Sequence, residues 1–176
     1  MKRQILFNLK KNAYSAFSSA IEIHNKPNID YRYETVTILL LNAWELILKA
    51  FVRKYTSKSI FKSNDYTISI DEAINTTKQY LTEKGLIKKY IAYFDNIELL
   101  EEYRNSNIHF YNEKGMDGVM FSLIAKNALD FNQFCIDFFK NDPIGNSNLM
   151  ILPIGFKLPF NPQQYLSMKN PAYSSN

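Results

Sequence analysis

The chain has 176 residues, a formal net charge of +4, 46% hydrophobic and 22% charged residues. That balance excludes wholesale disorder and gives enough length for one domain with a buried core. The charge is compatible with a nucleic-acid partner but too small to require one.

Residues 4–25 form the first expected helix, with Ile5, Leu6, Leu9, Ala13, Phe17, Ala20 and Ile21 on one face. Asn25, Pro27 and Asn28 break it. The opening MKRQILFNLKKNAYS is interrupted by Asn8, Lys10 and Lys11 too early for a signal-peptide core. A second helix is expected over 31–55. Its apolar stripe of Val36, Leu40, Trp44, Ile47, Phe51 and Tyr55 is widened by neighbouring leucines, as suits the central helix of a bundle. The polar line Asn42, Glu45 and Lys49 crosses it, which argues against a membrane span. Glu45 lies among Ala43, Trp44, Leu46 and Ile47, where a carboxylate needs a partner. That partner is either Lys49 one turn on or an arginine elsewhere.

Residues 56–70 alternate without a helical period and contain an Asn64-Asp65 turn signal, so a loop or short hairpin is expected. Asp71 is the expected cap of a third helix over 72–84, ended by Gly85. A fourth helical region covers 86–110, with a candidate break at Asp95-Asn96. The fifth, over 117–140, carries Val119, Met120, Leu123, Ile124, Ala128, Phe131, Phe134, Cys135 and Phe138 on its apolar face. The fold class expected is all-α: an antiparallel bundle of four to five helices with a small hairpin or loop insertion and an extended C-terminal tail. The bundle takes residues 1–142. Residues 143–176, with five of the six prolines, form the tail or the start of a further domain.

Most of the aromatic residues, 15% of the chain, fall on helical stripes and serve as core. The single Cys135 excludes an intramolecular disulfide and points to a reducing, cytoplasmic setting. Two basic clusters, Arg53, Lys54, Lys58 and Lys62, then Lys84, Lys88 and Lys89, fit solvated helix ends. His24 fits an ordinary helix end. No Gly-rich phosphate loop and no CxxC or HxxxH metal spacing occurs, so no cofactor and no metal are expected.

The stretch EEYRNSNIHFYNEKG, residues 101–115, gathers Arg104, Asn105 and His109 where the fourth helix ends. On an unbroken helix Arg104 and His109 point about 140° apart. They converge if the helix ends near them, or if two copies meet about a two-fold axis. A guanidinium grips phosphate and stabilises developing charge, and an imidazole exchanges a proton with a 2′-hydroxyl or a leaving oxygen. The competing account is a surface helix end, with Arg104 paired to Glu101 and His109 favoured at the helix C-terminus. Tyr103, Phe110 and Tyr111 are expected to anchor this segment to the core rather than to stack on bases.

The RNSNIH motif, with Asn105 directly after the Arg, together with the central helix and its WE pair and the later ILPIGF segment, resembles the HEPN superfamily over about residues 1–155. The resemblance implies a helical domain that dimerises, so that two motifs share a cleft. It also implies a metal-independent endoribonuclease of the kind found in toxin–antitoxin and antiphage-defence systems. Carried onto this chain, Arg104 and His109 become the catalytic pair and Asn105 a supporting hydrogen-bonding residue. Glu45 is the candidate for orienting Arg104 across the bundle. The implied partners are RNA, a second copy, and an antitoxin or downstream domain, with no membrane. Other members are inactive, so the alternative is a binding and dimerisation module for RNA, nucleotides or proteins.

Overall fold

The structure, a computed structural model, describes residues 2–26, 29–62, 66–107 and 116–146. Among these the fold is all-α, with five helices packed as a bundle: α1 (Lys2–Asn25), α2 (Arg32–Tyr55), α3 (Ile70–Glu83), α4 (Ile87–Asn107) and α5 (Met116–Phe139).

The central role expected of the second helix holds, since α2 packs against each of the other four. It is long and apolar enough to cross a membrane, yet 67% of its most apolar window is buried by the rest of the bundle. Trp44 marks the middle of the core. Its ring meets Phe131 edge-on at 5.2 Å, and Phe131 stacks on Phe17 at 4.6 Å. A second aromatic group, Phe51, Phe134 and Phe138, continues along α2 and α5, which therefore run side by side in the same direction. Such offset and edge contacts suit the charge distribution of aromatic rings. Tyr103 is buried with them, as an anchor of α4.

The segment between α2 and α3 makes an isolated antiparallel bridge between Phe61 and Thr67. It is a small hairpin-like insertion, held by the Lys62 amide on the Tyr66 carbonyl at 2.7 Å and the Ile68 amide on Ile60 at 2.9 Å. The cap of α3 differs from the expected Asp71. Ser69 caps it, accepting from the Glu72 amide at 3.2 Å while the Glu72 carboxylate accepts from the Ser69 amide at 2.7 Å. This reciprocal box satisfies two amides that a helix start leaves free, and Asp71 falls inside the first turn. Gly85 ends the helix as expected. Its φ of 69° lets its own amide and that of Leu86 reach back to Thr82 and Leu81.

The candidate break at Asp95-Asn96 does not occur, and α4 is continuous. Asn96 is drawn into a polar junction with α5 instead. Its side chain donates to Asp130 at 2.9 Å, and its carbonyl accepts from Asn127 at 3.1 Å. Asp130 also pairs with Lys126. Asn127 and Asp130 are buried, so these bonds fix the register of two antiparallel helices.

Candidate active site

The inward face of α4 is Tyr90, Phe94, Ile97, Leu100 and Tyr103, all buried. Arg104 follows the last of these, so its side chain emerges at the flank of the helix, three residues before Asn107 ends it. It is 36% exposed, which leaves the guanidinium open to a ligand. Two contacts hold it. Nε donates to Asn105 Oδ1 at 3.3 Å, and Nη2 lies 3.5 Å from Glu101 Oε1. Asn105 thus meets Arg104 as its chain neighbour on an exposed surface.

Glu101 is the less obvious member of the group. Its side chain is only 14% exposed. Burial, then repulsion from Asp71 on α3, raise its pKa above the usual carboxylate value, against the opposing pull of Arg104. Antiparallel packing creates this juxtaposition, bringing the first turn of α3 beside the last turns of α4. The same pairing of helices joins Lys78 to Glu98 at 2.7 Å. Burial thus shifts this carboxyl towards its neutral form beside a guanidinium that stays partly exposed.

His109 lies outside the described residues, as do Phe110 and Tyr111. Glu45 does not support Arg104. It pairs with Lys49 on its own helix, and the Lys49 ammonium also donates to Thr67 Oγ1 at 2.7 Å. Lys49 is buried beside it, so the carboxylate is met one turn away and needs no arginine from another helix. Among the described residues, no group of three or more His, Cys, Asp or Glu side chains comes together to hold a metal ion.

His24 is more deeply placed than a plain helix-end residue. It is 6% exposed and its ring lies 4.8 Å from that of Phe121, near the start of α5. Burial, helped by the nearby charge of Arg32, lowers its pKa to about 4. Its Nδ1 is buried without a hydrogen-bond partner among the described residues. Nothing in the local sequence announces this, because the residue that covers it comes from the last helix.

The model of a family described as a domain of unknown function (DUF3644) matches residues 8–176. The chain belongs to the DUF3644 family. The match takes in all of α2 to α5, most of α1, and the whole RNSNIH stretch of this DUF3644 domain. No curated protein and no solved structure matches the chain.

In chemical terms the DUF3644 domain presents an exposed guanidinium with Nε and Nη2 tethered, at the brink of the segment that carries His109. Such a group binds a phosphate in a two-pronged grip better than a lysine would. Sequence reasoning weighed Glu101 only as a structural partner and read Asp71 as a cap. Their meeting depends on tertiary packing, which leaves no periodic signal in either helix.

Proposed function

We propose that this protein is a metal-independent endoribonuclease of HEPN type, acting as a cytoplasmic homodimer in which paired RNSNIH motifs face one cleft. The observation that carries this reading is the placement of Arg104, half-exposed at the end of α4 and steadied by Glu101 and Asn105, five residues before His109. In this mechanism Arg104 holds the scissile phosphate and stabilises the charge that builds on it. His109 takes the proton of the attacking 2′-hydroxyl or supplies one to the departing 5′-oxygen. The cleavage leaves a 2′,3′-cyclic phosphate and uses no metal. A toxin or antiphage role, with an antitoxin or further domain as regulator, follows from the same resemblance.

The test is incubation of the purified protein with bacterial RNA in the presence of a chelator, beside folded Arg104→Ala and His109→Ala variants. Cleavage by the wild type alone, with cyclic phosphate ends, supports the proposal. Cleavage that disappears on chelation, or that survives both substitutions, overturns it.

A second reading has one observation in its favour. Arg104 does pair with Glu101, as a structural helix end would have it. On that reading the domain binds RNA, a nucleotide or a partner protein without chemistry, and RNA survives in all three incubations.

A further inference from the structure

All but one member of the two basic clusters, separate in sequence, come to the end of the bundle away from Arg104; Lys62 pairs instead with Glu72 at the start of α3, 2.7 Å away. The last turn of α2 and the residues after it bring Arg53, Lys54 and Lys58; the α3–α4 turn brings Lys84, Lys88 and Lys89. Between them lies a cleft of about 340 Å³, with Lys58 and Lys84 both in its lining. That volume is at the lower end of the range for small-ligand sites.

Few acids offset these cations. Asp137 is taken up by Lys89 at 2.7 Å. Glu83, also in the lining, accepts from the neutral Gln79 Nε2 at 3.1 Å and keeps its charge, so the lining holds one carboxylate beside its two lysines. The Lys58 ammonium donates to the neutral Gln79 Oε1 at 3.0 Å, so it is positioned without losing its charge. Lys84 lies over the ring of Tyr80, 5.7 Å from its centre, and is likewise not neutralised. The carbonyl ends of α2 and α3 attract cations to this place, which explains part of the cluster. It does not explain Lys88, which stands in the first turn of α4, where the helix end is positive and that turn contains no acid. Tyr55 and Tyr80, with ring centres 5.9 Å apart, add aromatic surface to the wall of the cleft.

We propose that this cleft is a subsite for a nucleotide phosphate, held between Lys58 and Lys84, with the base or ribose against the tyrosine wall. It deepens the RNA-directed reading above by giving the strand a second anchor. Lys88 and Arg104 are separated by most of α4, roughly 24 Å along its axis at 1.5 Å per residue. A bound strand therefore spans several nucleotides between the anchor and the reacting phosphate.

The experiment measures binding of a fluorescent oligouridylate, and separately of uridine monophosphate, by the full chain carrying Arg104→Ala, so that cleavage does not interfere. The comparison is with the same chain also carrying Lys58→Gln and Lys84→Gln, and with a Lys58→Arg, Lys84→Arg control that keeps the charges. The expected result is RNA binding about tenfold weaker in the glutamine variant, with the salt-dependence slope reduced by roughly 0.7 for one lost single-strand phosphate contact. The arginine control should bind within a factor of about three of the parent. Sensitivity of uridine monophosphate alone assigns the cleft to free nucleotides; sensitivity of the oligomer assigns it to RNA. Equal binding by the parent and the glutamine variant, or binding of neither probe, overturns the proposal. Loss in the arginine control as well as in the glutamine variant also overturns it, since the effect then does not follow charge. Failure of the ribonuclease reading shows separately, as absence of cleavage by the unsubstituted chain.

Discussion

The guanidinium of Arg104 stands 3.5 Å from the carboxylate of Glu101, one helical turn back on α4. At that distance, with the arginine 36% exposed, the pair is a loose surface bridge and adds little to stability. Arg104→Ala should therefore change the free energy of unfolding by less than about 1 kcal/mol. On the proposed mechanism it abolishes cleavage, and Arg104→Lys, which lacks the two-pronged grip, also falls well below the wild type. Urea unfolding beside an RNA-cleavage assay checks both. A large loss of stability with no change in activity would return Arg104 to a structural role.

Glu101 makes the domain sensitive to pH in a definite direction. Burial and the neighbouring Asp71 raise its folded-state pKa above 4.5, so folding favours its protonated form. Its ionisation therefore opposes folding: the stability it contributes is fully present below 4.5 and is lost as pH rises through the higher folded value. Glu101→Gln should be more stable than the wild type at neutral pH, with the advantage shrinking as pH falls towards 4.5. Unfolding measured across the acid range tests this, and a variant less stable at neutral pH would refute it.

His24 acts at a different part of the pH scale. The unfolded chain takes a proton there near 6.5, whereas the folded domain resists until about 4. Its contribution is complete above 6.5 and is lost as pH falls to about 4, a change on the order of 3 kcal/mol. His24→Leu, which keeps an apolar group against Phe121, should flatten the stability profile over that interval. Equal acid sensitivity in both proteins would contradict the assignment.

The start of α3 rests on a reciprocal pair of hydrogen bonds between Ser69 and Glu72. Ser69→Ala should cost about 1 kcal/mol, the usual worth of such a cap. The companion substitution Asp71→Ala should cost less, because Asp71 is not the capping residue. Thermal melts of the two variants distinguish these positions.

The main helices were legible because each has a face that must be buried. In α2 the widened stripe around Trp44 marked the centre of the bundle, and in α5 the series ending at Phe138 marked its core face. Two local judgements failed for identifiable reasons. Asp71 is a good capping residue by type, but Ser69 with Glu72 three residues later forms the better box. Asn96 disfavours a helix interior in isolation, yet Asp130 and Asn127 satisfy it from α5. At the candidate site, the loose partnership of Arg104 and Glu101 follows from their spacing and was visible in it. The approach of Asp71 and the packing of Phe121 on His24 were not, since the first depends on how the consecutive helices α3 and α4 pack and the second joins α1 to α5, far apart in the chain.

The contact between Trp44 and Phe131 also has a consequence during synthesis. As the polypeptide leaves the ribosome, α1 and α2 emerge well before α5 and can pair as a local hairpin, while Phe17 and Trp44 still await their lid. That lid is the last of the described helices in chain order. Until Phe131 appears, the nascent chain displays a greasy aromatic seam, the kind of surface that holdase chaperones shield and that drives incomplete products to clump.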